Sequence, residues 1–312
     1  MKNVLVVSYS QSGQLADIVA ALARPLETEN IRVHHEVLQP ESAFPFPWSF
    51  FAFFDAFPES VRLDPRPNKP LAIPADVTFD LVILAWTVWY LSPSQPMTAF
   101  LQSAEGKRLL AGRPVVSLVA CRNMWISAFD TLKMLVGEAG GRLVDHIALT
   151  DESPPLATFI TTPRWMLTGR RNRFFGLPPA GINARQTAGA ARFGVALAEA
   201  LARDEEKSGQ PMLSGLCAVK VVPHLVMSER AARRAFQVWS GIIRLFGRAG
   251  QRRRILALML FALYLIVIIL TIVPLNLILQ RLIAPLYARR AAAIIRHYEQ
   301  PSGADDARMA HE

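Results

Sequence analysis

Along the first two hundred residues the apolar positions change rhythm repeatedly, from short β-branched runs to stretches in which they recur every three or four residues. Residues 2–8 (KNVLVVS) predict a strand, and residues 15–24 a helix that stops at Pro25. Four more strands are predicted over 32–38, 80–86, 114–120 and 143–149. Helices are predicted over 95–109, 127–139 and 184–203, the second ending at Gly140 and Gly141, the expected stop signal. Strands that alternate with helices imply an α/β fold, a doubly wound five-stranded parallel sheet whose ligand lies beyond the carboxyl ends of the strands. An irregular basic stretch, 161–181, separates the fifth strand from the last helix.

Beyond Asp204 the pattern changes. Residues 219–226 read as a short strand or a buried loop, and 228–247 as an amphipathic helix with Ser228 at its N-cap. Its polar side carries Arg230, Arg233, Arg234 and Arg244 beside Phe236, Trp239, Ile243 and Leu245. Residues 255–279 hold no charge, and as a helix they would measure roughly 37 Å against a hydrocarbon core of roughly 30 Å. A run that is apolar all round favours a membrane segment over a helix buried in a soluble domain. Pro274 and Asn276 interrupt it, with Arg252, Arg253 and Arg254 before it and Arg281, Arg289 and Arg290 after it. The denser N-terminal flank would stay cytoplasmic, but cations on both sides leave a tilted span, a re-entrant segment and an interfacial segment all open. The expected organisation is a ligand-binding domain over 1–203 with an aromatic and Pro-rich insertion at 44–75, then a basic amphipathic linker at 204–254. A transmembrane or re-entrant segment at 255–283 and a basic helix with a polar tail at 284–312 complete it.

Composition agrees with this division. The apolar run accounts for part of a high hydrophobic content, 52%. The 34 Lys and Arg against 25 Asp and Glu give a net charge of +9, which calls for an anionic partner, and the crowding of Arg around the apolar run favours a membrane surface over nucleic acid. Cys121 and Cys217 have neither zinc-site nor disulfide-framework spacing. The soluble part reads as cytoplasmic, because residues 1–9 form a strand pattern and no signal peptide.

Chemistry concentrates in three predicted loops. Ser8-Tyr9-Ser10-Gln11-Ser12-Gly13-Gln14 lies between strand one and helix one. A phosphate there would meet backbone N–H groups, the positive end of a helix and the Ser10 and Ser12 hydroxyls, while Gly13 permits close approach. No Gly-Lys-Ser/Thr and no Gly-x-Gly-x-x-Gly sequence follows, which argues against nucleoside triphosphate and dinucleotide sites; an ordinary Ser-Gly helix cap is the plainer reading. Strand three ends in Trp86-Thr87-Val88-Trp89-Tyr90-Leu91-Ser92-Pro93, aromatics suited to sandwiching a flat ring beside that phosphate. Strand four delivers Cys121-Arg122-Asn123-Met124-Trp125 to the same edge. Trp86 and Trp125 could equally be core, and Cys121 a small buried residue.

The Ser10–Gln14 loop resembles the phosphate loop of flavodoxins, and Trp89-Tyr90-Leu91-Ser92-Pro93 resembles the flavin loop of flavodoxin-fold NAD(P)H:quinone reductases. Within that superfamily the Tyr-Ser-Gln-Ser-Gly-Gln opening and the Cys-Arg-Asn-Met-Trp stretch are similar to those of dialkylresorcinol condensing enzymes. The resemblance covers roughly residues 1–203 and implies a flavodoxin-like fold that binds FMN. It implies a ribityl phosphate on Ser10, Gln11, Ser12, Gly13 and Gln14, and a ring against Trp89, Tyr90 and Asn123, with Trp86, Thr87, Leu91, Cys121, Arg122 and Trp125 around it. The expected activity is a membrane-associated oxidoreduction, NAD(P)H being the reductant and a quinone or polyketide-like lipid the acceptor. Help in condensing or aromatising β-keto lipids, with partner enzymes of biosynthesis, is the alternative, and a non-catalytic anchored electron carrier is another. A homodimer is compatible with each.

The insertion packs Phe44, Phe46, Trp48, Phe50, Phe51, Phe53, Phe54 and Phe57 closely together. It reads as a lid over an oily substrate, a surface that dips into lipid, or a helix buried on the domain. His34 and His35 read as ordinary strand residues. Asp151 and Glu152, after strand five, could place an acid at the ligand edge or only cap a loop. Arg164, Arg170, Arg171 and Arg173 suit a cofactor phosphate, acidic lipid or a solvated loop. No hydrolase triad, paired-carboxylate motif or metal-ligand cluster stands out.

Overall fold

The structure is a computed structural model that describes residues 1–74, 77–272, 275 and 292–309. Its centre is a sheet of β1 (Lys2–Ser8), β2 (Ile31–Val37), β3 (Leu81–Trp86), β6 (Pro114–Cys121) and β7 (Arg142–Thr150). The strands lie in the order β2-β1-β3-β6-β7 with every neighbouring pair parallel. This is the flavodoxin-like order, in which the winding reverses between β1 and β3. All six residues of β3 are buried, as a strand covered by helices on both faces requires. Those helices are α1 (Gln14–Ala23), α4 (Gln95–Gln102), α5 (Ala104–Leu110), α6 (Ile126–Glu138), α8 (Ala184–Gly189) and α9 (Ala191–Ala202).

The predicted helices at 95–109 and 184–203 are each broken in two. At the first break Ser103 Oγ accepts the N–H of Gly106 at 2.9 Å and so caps a new helix. At the second, Asn183 and Gln186 form a capping box for a short helix, and the chain turns at Ala190 before α9 begins. The stretch expected to be irregular, 161–181, begins inside α7 (Pro155–Thr168), with Pro163 within the helix. That internal proline and the Thr-rich surroundings hid the helical rhythm from the sequence.

Two short helices form within the insertion, α2 (Phe50–Asp55) and α3 (Phe57–Arg62). After them β4 (Val88–Trp89) and β5 (Ser92–Pro93) pair as a small hairpin.

Residues 204–254, read from sequence as a basic linker, are folded onto the domain. Here α10 (Pro223–Leu245) lies against α3 and α6. Arg62 Nε donates to Ser240 Oγ at 2.9 Å, and Arg233 donates to Thr131 Oγ1 at 3.0 Å. The helix opens on Pro223 at its first turn, with Val222 as N-cap. Ser228 therefore lies inside the helix and is not its N-cap.

The final described helix is α11 (Ile255–Leu270). One of its faces, Ala257, Leu258 and Phe261, is buried in a cluster with Phe57, Val61 and Ile243. Phe57 and Phe261 stack with centroids 4.0 Å apart. Its opposite face, Leu256, Met259, Leu260, Leu263, Ile266 and Leu270, is exposed. Among the described residues one helix, Arg252–Leu270, is long and apolar enough to cross a membrane. Pro274, Asn276, Arg281, Arg289 and Arg290 lie outside the described residues.

At 292–309 the chain again lies against the domain. Tyr298 donates to Asp130 Oδ2 at 2.9 Å, and Ser302, fully buried, donates to Asp145 Oδ1 at 2.7 Å.

Candidate functional site

The three loops singled out by sequence meet at the carboxyl ends of β1, β3 and β6. Tyr9, next to the Ser10–Gln14 loop, stands edge-on to Trp89 of the hairpin, 6.0 Å between ring centroids. Burial pushes the Tyr9 hydroxyl up to about 12, with Arg66 pulling the other way, so it stays a neutral phenol.

Within the first loop the five predicted residues divide. Gly13 is the N-cap of α1 at φ 86°, a left-handed conformation in which only glycine is unstrained. No side chain caps this helix, so its first N–H groups face the loop. Ser10 Oγ is buried and has no hydrogen-bond partner. The two glutamines are committed elsewhere. Gln11 donates to the Pro45 carbonyl at 2.8 Å and accepts from Trp48 Nε1 at 3.0 Å. Gln14 donates to the Ile182 carbonyl at 2.9 Å and accepts from the Ile182 N–H at 3.0 Å. Gln11 therefore ties the aromatic insertion over the loop, while Gln14 ties down the chain before α8.

The hairpin turns on Tyr90 and Leu91, both left-handed at φ 51° and 62°. That conformation suits a tight two-residue hairpin turn but is unusual for non-glycine residues. The turn sends the two aromatics apart. Trp89 faces the first loop, covered by Phe44 at 4.8 Å and Trp48 at 5.4 Å between centroids. Tyr90 points into the insertion, between Phe53 and Phe57, and donates to the Phe53 carbonyl. Desolvation raises its hydroxyl well above the ordinary range. Tyr90 is thus withdrawn from the side where Trp89 stands. Thr87 closes the hairpin by accepting the Ser94 N–H at 2.9 Å.

Trp86 and Trp125, expected either around a ligand or in the core, are buried among core residues. Trp86 is fully buried and donates to Ser117 Oγ at 2.8 Å inside the sheet. Trp125 is buried against Phe129 and His146. A strand-end tryptophan pointing along the sheet normal joins the core, and the alternation that decides its direction is not marked in an all-apolar strand.

At the end of β6, Asn123 Oδ1 accepts the Met124 N–H at 2.9 Å, and Met124 is left-handed at φ 56°. Arg122 donates to Thr158 Oγ1 at 2.7 Å and lies 3.9 Å over the Phe159 ring. Burial lowers its pKa to about 10, partly offset by Asp151. Burial pushes the Cys121 thiol up, with Glu229 acting the same way, so it is held protonated.

Asp151 accepts the N–H groups of Ser153 at 2.9 Å and Gly181 at 2.8 Å, and Glu152 accepts from Asn183 at 2.8 Å. Both therefore organise loops. Near them lies a cleft of about 400 Å³ lined by Asp151, Ser153, Arg171, Pro179, Gly181 and Asn183. Asp151, Glu152 and Arg171, offered by the sequence for an acid or a phosphate contact, line it, whereas none of the residues expected to hold FMN in the three loops does. Arg66, which lies 4.5 Å over the Phe44 ring, is the cation beside the first loop that sequence reasoning missed. It sits in Asp64-Pro65-Arg66-Pro67, a stretch with turn composition and no periodicity. Among the described residues no cluster of His, Cys, Asp and Glu could hold a metal ion.

No protein-family model matches the chain, and no curated protein matches it. Solved structures similar to it include a flavoprotein from Lactobacillus acidophilus in complex with FMN, at 14% identity and a TM-score of 0.38, covering 47% of this chain and 93% of that one. A flavodoxin from the domain Archaea has 11% identity and a TM-score of 0.33, over 65% and 99% of the two chains. General stress protein 14 of Treponema denticola, in complex with FMN, has 9% identity and a TM-score of 0.32, over 64% and 99%. Likeness this distant carries no argument about a ligand. The flavodoxin-like architecture rests on the strand order itself.

Proposed function

We propose that the chain is an FMN-dependent oxidoreductase that works at a membrane and passes reducing equivalents from NAD(P)H to a lipophilic acceptor such as a quinone or polyketide-like lipid. The observation that carries this reading is the buried, unpartnered Ser10 Oγ at the uncapped N-terminus of α1. Ser94, Thr161 and Thr162 also have buried hydroxyls without a partner, but only that of Ser10 belongs to the loop where the N–H groups of α1 gather to hold an anion. Ser10, the backbone from Ser12 to Gln14 and the open space around Gly13, where an added Cβ would meet nothing within 4 Å, fit a phosphomonoester.

The ring end asks more of the protein. Trp89 is in place, but Phe44 and Trp48 stand against it, so a flavin ring laid there moves the insertion outward. Once bound, FMN would supply the two-electron chemistry, accepting hydride from a dihydronicotinamide and returning it to the acceptor. The chain's own contribution is to hold the phosphate, to flank the ring with Trp89 and Asn123, and to exclude water with the insertion.

Support for a lipophilic acceptor comes from continuity between the insertion and α11. Phe57 touches both Tyr90 of the hairpin and Phe261 of α11. The helix with the exposed apolar face is therefore built onto the same aromatic cluster that covers the first loop. The alternative, condensation of β-keto lipids, gains no nucleophile from Cys121, because a protonated, partly buried thiol is unreactive.

The test is the absorption spectrum of the detergent-extracted full chain with FMN added, before and after NAD(P)H under anaerobic conditions. A bound flavin that bleaches with NAD(P)H and reoxidises with a quinone supports the reading. A protein that binds no FMN refutes it, and one that binds FMN without NAD(P)H turnover is a carrier.

A further inference from the structure

Both flanks of the apolar run are fastened to one folded body. Before it, Arg254 is fully buried, with its guanidinium 3.0 Å from Asp55 and making two 2.9 Å bonds to Glu59, both on the insertion. After it, residues 292–309 are built into the same domain. His146 N–H donates to Ser302 Oγ at 2.7 Å, Cys217 N–H to the Asp305 carbonyl at 2.7 Å, and Arg308 N–H to the Gly215 carbonyl at 2.8 Å. Tyr298 and Ser302 are both buried in this contact.

A run that crossed a bilayer once would place its two flanks on opposite sides, roughly 30 Å of hydrocarbon apart. One domain cannot hold both flanks in that arrangement. We infer that the two flanks of the apolar run stay on one side of the bilayer, with the outer face of α11 as the lipid contact. This rests on the membrane attachment proposed above and gives it a topology.

Two further features agree. The outer stripe, Leu256, Met259, Leu260, Leu263, Ile266 and Leu270, runs the whole length of α11, and Phe50 and Phe51 of the neighbouring α2 are exposed as well. At the start of this stripe Arg248, Arg252 and Arg253 are exposed, where they can meet anionic headgroups. Basic residues flank the run on both sides in the sequence. The positive-inside bias, ambiguous for a single span, is satisfied at both flanks when they share one side.

The full chain carrying one epitope before Met1 and a second after Glu312 is reconstituted from detergent into sealed vesicles of phosphatidylethanolamine and phosphatidylglycerol. Protease is then added outside. The expected result is that each molecule loses both epitopes or neither, and that it stays with the vesicles through an alkaline carbonate wash. Molecules that lose one epitope and keep the other would overturn the one-sided topology and leave the attachment standing. Release of the protein by carbonate would overturn the topology together with the attachment on which it rests.

Discussion

Replacing Ser10 by Ala separates a ligand-binding hydroxyl from a structural one, because the two measurements should move in opposite directions. In the folded chain Ser10 Oγ is buried and bonds to nothing, so the apoprotein loses no hydrogen bond in S10A. A buried hydroxyl without a partner carries a desolvation penalty of about 1–3 kcal/mol, and the variant apoprotein should be as stable as the wild type or more so. With FMN bound, a hydroxyl that donates to a phosphate dianion makes a charge-assisted bond, which contributes about 1.5–3 kcal/mol. At about 1.4 kcal/mol per tenfold, S10A should raise the Kd for FMN by roughly 10- to 150-fold. Quenching of FMN fluorescence gives the Kd, and urea unfolding of the apoprotein gives the stability. An unchanged Kd would refute the assignment of this loop to a phosphate. A large loss of apoprotein stability would refute the premise that the hydroxyl is unpartnered.

Three further outcomes follow from packing and charge. Arg254→Met leaves the carboxylates of Asp55 and Glu59 facing each other with little solvent and should destabilise the chain by about 3–5 kcal/mol; Arg244→Met, which frees the exposed Asp64, should change stability by about 0–1 kcal/mol. Urea midpoints in detergent that match for the two would sink the argument. Burial raises Glu229 from its ordinary 4.5 to about 7, so the folded chain keeps a proton that the unfolded chain releases. The stability this supplies is fully present below pH 4.5 and is lost as the pH rises to about 7, about 3 kcal/mol at about 1.4 per pH unit. Glu229→Gln should flatten that part of the stability profile, and a profile parallel to the wild type would exclude Glu229 as its source. Gly194→Ala would put a Cβ 2.0 Å from the Leu22 carbonyl oxygen and should destabilise by about 1–3 kcal/mol. Gly137→Ala, with open space around it in α6, should stabilise by up to about 1 kcal/mol. Thermal melts that shift the same way for both would contradict the packing of α9 on α1.

By itself the sequence determined the five strands and their alternation with helices. β-branched runs and Gly or Pro stops are local signals, and β1 forms over the residues predicted for it. It also located the three loops, because a strand-to-helix turn rich in Ser and Gly is a local feature as well. What each side chain does there was decided by tertiary contacts. Gln11 and Gln14 have the composition of a phosphate loop, yet their amides hold Trp48 and Ile182, residues distant in the sequence. Tyr90 and Trp89 are adjacent in the chain and face opposite ways because two left-handed residues turn the hairpin between its strands. α11 is legible as an apolar run, but not that Phe57 and Arg254 dock its start on the insertion, nor that residues 292–309 return to the same domain. Hydrophobic periodicity reports what a segment must bury; which surface it is buried against is settled only when distant parts of the chain meet.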